Sequence, residues 1–446
     1  MKRLAISVAA TVVAAAAWAQ GLLLDSCLMV TSSLYPDAVH AVSLYVPRQY
    51  HDGDTACLYV GLDGVLCDAP AVFDSLIASG EMPVTIGVFL QPGVVRDAAG
   101  RAVRYNRCYE FDDITPRFAT FLEELIDGHI EGYALPDGRV LHVSRRGDDS
   151  AIFGASSGGI AALTAAWHRP DRFRRVFAAV GTFVAMRGGN DLQAIIRKSE
   201  PRPLRVMLQD GTADAWNPLF GSWWEGNQLM ASALQFNGVE CRFDWGDTGH
   251  SIGRASEIFA DVMRWLWRGF PEPVTAGRSA NDFLRSIEAD TLATGWKRKA
   301  VDDFAIELAL PPQPMAYYTD STLVAIARAD DGNRIWQYLI DNNGHPTAGE
   351  PFYHLHTLGT EPLAVRCMAF DGDGNLWAVT SIGIQVLDQN GRVRAILQLP
   401  ERLAAADVNY IEVTDGAVAL HTLAARYSRS LRVKAPTARP ASQGQG

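Results

Sequence analysis

Residues 150–168 read SAIFGASSGGIAALTAAWH, and this stretch decides the fold of the first half of the chain. Its first part, SAIFG, is a short apolar run typical of a buried strand, and GIAALTAAWH (159–168) has the length and composition of a buried helix. Between them lies Gly-x-Ser-x-Gly, with Ser156 at its centre. A strand that turns at once into a helix has a strained backbone that tolerates only small neighbours. The stretch predicts an exposed nucleophilic serine, and the alternative is a glycine-rich helix start packed on a sheet.

The surrounding sequence alternates buried strands with helices. Strands are predicted at CLYVGL (57–62), VTIGVFL (84–90), SAIFG (150–154) and LRVMLQ (204–209). Helices are predicted at FATFLEELIDGHI (118–130), GIAALTAAWH (159–168) and NQLMASALQFNG (227–238). Continuous apolar strands separated by helices indicate a parallel sheet that is covered on both faces, so residues 20–272 are predicted to form an α/β domain.

A serine needs a base and an orienting acid to act as a nucleophile. In sheets with this kind of serine the acid and then the histidine follow it along the chain. His250 lies in the polar loop WGDTGHS (245–251) after a predicted strand, where such a base belongs. The other histidines after the serine lie late in the predicted helix or in the later strand-rich segment: His168, His345, His354, His356 and His421.

The acid is expected after the strand LRVMLQ, where DGTAD offers Asp210 and Asp214. Asp214 is preferred because it lies beyond the strand end and has room to reach a neighbouring loop. Asp210 lies at the strand end and is also suited to capping the turn, and either residue could serve turn formation alone.

Two backbone amides are expected to stabilise a developing oxyanion. The first is the amide of Ser157, at the start of the predicted helix. The second would come from the loop after an early strand, where YVGLDG (59–64) offers Leu62 or Asp63. A plain turn is the alternative for this loop.

With these residues in place, the segment 40–270 resembles the esterase D and enterochelin-esterase branch of the α/β-hydrolases, which includes feruloyl and acetylxylan esterases. The matching motifs are YVPRQY (45–50), GLDG (61–64), EMPVTIGVFLQPG (81–93), YNRCYEFD (105–112), FGASSGGIAALTAAWHRPDRF (153–173), LQDGTAD (208–214) and the Gly-His of GDTGH (246–250). The resemblance implies ester hydrolysis with Ser156 as nucleophile, Asp214 as acid and His250 as base. It implies no cofactor, and a small-molecule or carbohydrate ester as substrate.

Further residues are candidates for supporting the site. In the Asn-Arg-x-x-Glu stretch of the family, Arg107 and Glu110 are expected to form a structural ion pair near the active site, and substrate binding by Arg107 is the alternative. In WNPLFGSWW (216–224), Trp216, Trp223 and Trp224 could form a stacking wall for an aromatic or sugar group, or could simply pack the domain.

Residues 273–435 differ from the first half in the spacing of apolar runs and turn residues. Short apolar runs alternate with Gly/Asn/Asp turns such as DGDGN (371–375), which predicts an all-β domain. The segment 371–397 resembles the end of a gluconolactonase-type β-propeller, although the domain is short for six blades. Where that family has a metal-binding aspartate, this chain has Arg366-Cys367-Met368, so no metal site is expected. His354-x-His356 is interpreted as a solvated strand face, and 436–446 as a disordered tail.

The start of the chain predicts export. Lys2 and Arg3 precede an apolar run that is too short to span a bilayer, and Ala17-Trp18-Ala19 is a suitable cleavage site. Residues 1–19 are therefore predicted to be a cleaved signal peptide, which makes the protein secreted or periplasmic, without a membrane span. An oxidising compartment permits disulfides among the six cysteines, but their spacing does not define pairs.

The formal net charge of −10 argues against nucleic-acid binding, which needs a basic face. Two other functions remain open: a metal-dependent sugar lactonase acting through the C-terminal domain, and a non-catalytic carbohydrate-binding or interaction protein. The exposed sheet edges of an incomplete propeller would also favour a homo-oligomer.

Overall fold

The computed structural model describes residues 20–277, 287–288, 295–300, 313–319, 323–329, 331–357, 363–414 and 416–433. These residues divide into two compact units, one built mainly from 20–194 and 201–277 and the other mainly from 287–357 and 363–433. The predicted signal peptide and the predicted disordered tail lie outside the described residues.

The first unit contains strands and helices in alternation. Its strands are β1 (Leu22–Val30), β2 (Ala38–Val46), β3 (Cys57–Leu62), β4 (Thr85–Leu90), β5 (Val94–Arg96), β6 (Ala102–Tyr105), β7 (Ser150–Ala155), β8 (Arg175–Ala179), β9 (Arg205–Gly211), β10 (Trp216–Asn217), β11 (Gly221–Ser222) and β12 (Glu240–Gly246). The α-helices of this part of the chain are α1 (Ala69–Ala78), α2 (Arg107–Phe111), α3 (Arg117–Leu125), α4 (Ser157–His168), α5 (Leu192–Lys198), α6 (Trp223–Asn237) and α7 (Gly253–Trp267).

Ten of these strands form one mostly parallel sheet. Its order is β12-β9-β8-β7-β3-β4-β2-β5-β6, and β1 pairs with β2. The run from β12 to β4 is parallel, whereas β2, β5, β6 and β1 pair antiparallel. Every residue of β3, β4 and β7 is buried, because helices cover both faces of the sheet. The prediction of an α/β-hydrolase fold is confirmed.

The predicted helices are present, with small differences at their ends. All twelve residues of α4 are buried, which explains its almost uniform apolar composition. The segment predicted as one helix over 118–130 is α3 followed by a π-helical turn, Ile126–Ile130. Helix α6 begins four residues earlier than predicted, where Ser222 accepts a hydrogen bond from the Glu225 N–H, and Gly238 ends it in the left-handed conformation.

Between residues 287 and 433 the described part of the second unit consists of strands and turns with one short 3₁₀ helix, Ala405–Asp407, which is consistent with the predicted all-β domain. Its strands are β13 (Ile287–Glu288), β14 (Lys297–Ala300), β15 (Met315–Thr319), β16 (Leu323–Ala327), β17 (Arg334–Ile340), β18 (Pro346–His354), β19 (Val365–Phe370), β20 (Leu376–Thr380), β21 (Gly383–Leu387), β22 (Val393–Leu397), β23 (Tyr410–Thr414), β24 (Ala417–His421), β25 (Ala425–Ser430) and β26 (Arg432–Val433).

Twelve of these strands form three antiparallel four-stranded sheets, and β13 pairs with β26 in a two-stranded sheet. Two sheets use consecutive strands, β15 to β18 and β19 to β22, and a third has the order β14-β25-β24-β23. One edge strand of each sheet contacts an edge strand of the next sheet, β15 with β19 and β19 with β23. Whether the domain is a shortened gluconolactonase-like propeller stays a prediction.

Two turns of this unit contain the same hydrogen bond between an aspartate and a tryptophan side chain. Asp331 Oδ2 accepts a hydrogen bond from Trp336 Nε1 at 2.9 Å, and Asp371 Oδ2 accepts one from Trp377 Nε1 at the same distance. In both cases the aspartate opens a turn and the tryptophan lies on the strand that follows. In these two turns a side-chain hydrogen bond therefore connects the turn to the strand that follows it.

The interpretation of His354 and His356 as a solvated strand face is wrong. His354 ends β18 and is partly buried, and burial lowers its pKa to about 4. The backbone N–H and C=O of His356 are both bound by the Gln385 side chain. Although β18 is the edge strand of its sheet, Gln385 on β21 and the Gly391 carbonyl, which accepts the His354 N–H at 3.1 Å, lie against the pair.

None of the six cysteines forms a disulfide, and Cys57, Cys67 and Cys367 are buried. Within the described residues, no group of three or more His, Cys, Asp or Glu side chains is arranged to hold a metal ion. None of the helices in the described ranges is long and apolar enough to cross a membrane.

Candidate active site

The turn between β7 and α4 holds Ser156 in a strained conformation. Its φ of 59° and ψ of −122° are rare for a residue with a side chain. Its N–H donates to the carbonyl of Ala179 at 2.9 Å, and its own carbonyl accepts from the Thr182 N–H at 3.1 Å. Such strain costs about 1–3 kcal/mol, and these two hydrogen bonds to the segment after β8 help to maintain it.

Close backbone contacts leave little room for a side chain at the glycines around Ser156. A Cβ at position 154 would lie 2.1 Å from the carbonyl oxygen of Gly158, much closer than any real contact. A Cβ at position 159 would lie 3.1 Å from the carbonyl oxygen of Ala179. The small residues of the opening stretch therefore let the strand, the turn and the helix pass within backbone distance of one another.

Ser156, His250 and Asp214 form a continuous hydrogen-bonded chain. His250 Nε2 lies 2.8 Å from Ser156 Oγ, and His250 Nδ1 lies 2.6 Å from Asp214 Oδ1. A carboxylate only accepts hydrogen bonds, so Nδ1 carries the ring proton and Nε2 is left to accept the serine proton. This is the arrangement that general-base activation of a serine needs.

Each member of this chain comes from the carboxyl end of a parallel strand. Ser156 follows β7, and Asp214 follows β9 in a turn in which its N–H donates to the carbonyl of Gly211 at 3.0 Å. His250 lies in the loop between β12 and α7. Because parallel strands end on the same edge of the sheet, residues that are 94 positions apart in sequence meet there.

The carboxyl group of Asp214 is buried, whereas the His250 side chain is 32% exposed. Burial raises the pKa of Asp214, but hydrogen bonds from His250, Asp210 and the Ala215 N–H outweigh burial and bring the pKa below its ordinary value. Asp214 is therefore ionised at neutral pH and is suited to stabilising a protonated His250. Of the two aspartates considered from the sequence, Asp214 is the one hydrogen-bonded to the histidine.

The expected oxyanion donors lie on either side of the turn. Ser157 is the first residue of α4, so its N–H has no acceptor within the helix and the positive end of the helix dipole lies there. Leu62 is the last residue of β3, and Asp63 follows it with a left-handed φ of 66°. The carboxylate of Asp63 lies beside the first turn of α4, because a Cβ at position 158 would be 3.1 Å from its Oδ2.

The expected ion pair between Arg107 and Glu110 is wrong. Arg107 instead binds Asp63 with two hydrogen bonds, Nε to Oδ1 at 2.6 Å and Nη2 to Oδ2 at 2.8 Å. Its Nη2 also donates to the carbonyl of Ala155, the residue before the serine, at 3.1 Å. Arg107 therefore connects the end of β3 to the end of β7.

Glu110 has different partners, on β2 and in the loop after β4. It is completely buried, lies 3.0 Å from His40 Nε2 on β2, and accepts the Gly93 N–H at 3.1 Å. The two charged residues of the motif are three positions apart on a short helix, but the strands around α2 supply nearer partners for each.

Two polar residues near the site were not identified from the sequence. Thr182 Oγ1 lies 3.3 Å from Ser156 Oγ and accepts a hydrogen bond from Trp223 Nε1 at 3.2 Å. Asp112 is buried, accepts a hydrogen bond from Ser157 Oγ at 3.0 Å, and has a pKa raised to about 6 by burial. Neither lies in the serine motif; the one available signal was that Asp112 closes the quoted family motif YNRCYEFD.

The three candidate tryptophans do not form one wall. Trp223 is buried and packs edge-to-face on His250 with 5.7 Å between ring centroids. Trp224 packs edge-to-face on Trp245 at 5.5 Å. Trp216 is 70% exposed and lies two residues after Asp214, on the β10–β11 hairpin. Trp223 therefore supports the histidine, whereas Trp216 presents a free ring beside the site.

The first unit is similar in sequence to one known protein family. Residues 35–236 match the Esterase family, whose description reads "Putative esterase". No curated protein matches the chain in sequence.

Solved structures similar to this chain include a ferulic acid esterase, 17% identical, with a TM-score of 0.43 over 55% of this chain and 98% of that one. An enterobactin esterase from Shigella flexneri, solved in the presence of 2,3-di-hydroxy-N-benzoyl-glycine, is 19% identical, with a TM-score of 0.42 over 56% of this chain and 59% of that one. The chain thus matches only about three fifths of the length of that esterase. A fluorophosphonate-binding serine hydrolase of Staphylococcus aureus is 12% identical, with a TM-score of 0.38 over 55% of this chain and 98% of that one.

The family match extends from the turn before β2 into α6 and includes both Ser156 and Asp214. It covers the part of the sheet in which the strand–turn–helix serine lies. Residues 35–236 therefore match the Esterase family, and the first unit has the α/β-hydrolase fold.

Proposed function

We propose that the protein is an exported serine esterase that hydrolyses carboxylic esters through an acyl-enzyme. The observation that carries the proposal is the hydrogen-bonded chain Ser156–His250–Asp214, with 2.8 Å and 2.6 Å between the participating atoms. Nucleophile, base and acid are within normal hydrogen-bond length of one another.

In the proposed reaction Ser156 Oγ attacks the ester carbonyl carbon while His250 Nε2 takes its proton. Asp214 stabilises the resulting imidazolium and keeps its orientation. The carbonyl oxygen becomes an oxyanion, for which the N–H of Ser157 and one N–H of the Leu62–Asp63 turn are the proposed donors. His250 then protonates the leaving alkoxide, and a water molecule activated by the same histidine releases the acid.

The substrate is proposed to be an acyl ester on a carbohydrate or a related natural product. Trp216 supports this assignment, because its exposed ring beside Asp214 offers a flat apolar surface on which a sugar or aromatic ring can stack. Trp216→Ala should raise KM for methyl ferulate and leave KM for ethyl acetate unchanged, since ethyl acetate has no ring that can stack. Equal effects on both esters would contradict a binding role.

The decisive experiment is hydrolysis of 4-nitrophenyl acetate and methyl ferulate by the mature protein, beside Ser156→Ala, with and without EDTA. We expect turnover that disappears in the variant and is unaffected by EDTA. Activity that survives Ser156→Ala and is lost with EDTA would favour the metal-dependent lactonase. A protein that neither turns over an ester nor reacts with a fluorophosphonate would favour the binding protein.

Export is proposed from the pattern of residues 1–19. Expression of the full chain in a bacterial host should give a periplasmic or secreted product that begins at Gln20. Recovery of the protein with its N-terminal methionine intact would contradict export.

A further inference from the structure

A second buried carboxyl group lies directly behind the acid of the proposed triad. Asp210 is the second-last residue of β9, four residues before Asp214, and it is fully buried. The side chain of Asp210 is in hydrogen-bonding contact with that of Asp214. The reaction described above does not use Asp210.

The hydrogen bonds of the two carboxyl groups are unequally distributed over their oxygens. Asp210 Oδ1 accepts the Gly211 N–H at 2.7 Å, and Asp214 Oδ1 accepts from both His250 and the Ala215 N–H. The remaining oxygen of each residue, Oδ2, is buried and accepts no hydrogen bond of ordinary geometry among the described residues, although the Asn227 amide lies near the Asp210 carboxyl group. A buried acceptor without a donor is costly, and here two of them belong to adjacent acids.

One proton satisfies both oxygens. Two adjacent buried carboxylates cannot both be charged at neutral pH, so one of them holds a proton. Burial, followed by the contact with Asp214, raises the pKa of Asp210 to about 8. The Gly211 N–H and the Asn227 amide on α6 face the same carboxyl group and oppose the rise without cancelling it.

The proton belongs on Asp210, because only Asp214 is hydrogen-bonded to His250. An ionised Asp214 is needed to hold the Nδ1 proton of the histidine, and its pKa lies below the ordinary value. The neutral acid is therefore the group further from the histidine.

We propose that Asp210 is a positioning residue that stays protonated at neutral pH and donates its O–H to Asp214 Oδ2. The donated hydrogen bond fixes the rotation of the Asp214 carboxylate, so that Oδ1 points at His250 Nδ1. Above neutral pH the Asp210 proton is lost to solvent, and two carboxylates then repel each other behind the histidine. This proposal rests on the proposed function, because it assigns a role within that triad.

The direction of the other hydrogen bonds agrees with this role. Trp223 Nε1 can only donate, so Thr182 Oγ1 accepts from it and is free to donate to Ser156 Oγ. Ser156 in turn donates to His250, and His250 to Asp214. Asp214 is thus the final acceptor of the chain, and Asp210 supplies a donor to it from the opposite side.

The test compares Asp210→Asn with Asp210→Ala. The asparagine amide can donate to Asp214 Oδ2 and its carbonyl can accept from the Gly211 N–H, but it cannot ionise. Alanine supplies neither hydrogen bond. We expect Asp210→Asn to keep kcat at pH 7 within about threefold of the wild type, and Asp210→Ala to lower kcat about ten- to hundredfold with little change in KM.

The pH profile separates positioning from a merely structural role. Wild-type kcat should fall as pH rises through about 8, where Asp210 ionises, and Asp210→Asn should lack this decline. The proposal is overturned if Asp210→Asn loses as much kcat at pH 7 as Asp210→Ala, or if it keeps the wild-type alkaline decline.

A spectroscopic readout keeps this test independent of turnover. The infrared difference spectrum between the wild type and Asp210→Asn at pH 7 should contain the C=O band of a protonated carboxylic acid, and that band should disappear above about pH 8. If no ester is hydrolysed but the band is present, the proposed function fails while the assignment of the proton stands. If esters are hydrolysed and the band is absent, the assignment for Asp210 fails alone.

Discussion

Replacing Gly154 by alanine should damage both activity and stability, because the added methyl group has no room. A Cβ there would lie 2.1 Å from the Gly158 carbonyl oxygen and 2.2 Å from its carbon. Since real Cβ contacts are essentially never shorter than 3.0 Å, strand and helix must separate by about 0.9 Å. The neighbouring atoms are backbone of the completely buried α4, so no flexible side chain can absorb the shift.

The same displacement acts on the reacting atoms. Gly154 and Gly158 enclose Ser156, so a shift near 1 Å would lengthen its 2.8 Å contact with His250 beyond hydrogen-bond range. A misplacement of this size lowers kcat/KM about 100-fold, which is about 2.7 kcal/mol of transition-state stabilisation. Overpacking should also lower the free energy of unfolding by about 1–3 kcal/mol.

The assay is kcat/KM on 4-nitrophenyl acetate together with denaturant unfolding, and Gly128→Ala is the matched control. Gly128 lies in the π-helical turn after α3, has no positive φ, and has nothing within 4 Å of an added Cβ. The control should keep full activity and gain up to about 1 kcal/mol of stability from reduced chain entropy. If Gly154→Ala keeps more than half of the wild-type kcat/KM and unfolds like the control, the close backbone packing is not what positions the serine.

Three further predictions concern residues around the turn. Thr182→Val should lower kcat about tenfold without changing KM, since it removes the hydroxyl beside Ser156, and an unchanged kcat would exclude Thr182 from the hydrogen-bond chain. Arg107→Lys should lower kcat rather than raise KM, because it breaks the two-point contact with Asp63, whereas a raised KM alone would indicate substrate binding. Because burial raises the pKa of Asp112 to about 6, the folded protein keeps a proton that the unfolded chain loses near pH 4. The difference in Tm between the wild type and Asp112→Asn should therefore decrease as pH rises from about 4 to 6 and then stay constant. A difference in Tm that does not change between about pH 4 and 6 would refute the raised pKa.

The sequence contained enough information to predict the sheet and the serine turn because both follow from local patterns. Small residues at 154–158 and apolar runs on both sides restrict the backbone wherever they occur. The meeting of Asp214 and His250 with the serine was also predictable, since the ends of parallel strands share one edge. Local sequence patterns and the topology of a parallel sheet were sufficient for both predictions.

Partner choice among charged and polar side chains was not predictable in the same way. Arg107 and Glu110 have helical spacing, yet Arg107 binds Asp63 and Glu110 binds His40. An ion pair forms between the groups that the packed strands bring nearest, and this depends on the register of several strands. Thr182 was missed for a related reason, since its position beside the serine depends on the path of the chain after β8.

The order of strands in the second unit has a consequence for how the chain folds in time. Strand β14 completes a sheet with β25, and Lys297 pairs with Ser428, about 130 residues later. The two sheets made of consecutive strands can form as soon as their hairpins leave the ribosome, whereas this sheet must wait for nearly the whole chain. Until then the pairing edge of β14 is open to other chains, so aggregation during synthesis should be sensitive to β14. Any fragment that stops before residue 425 leaves that strand without its partner.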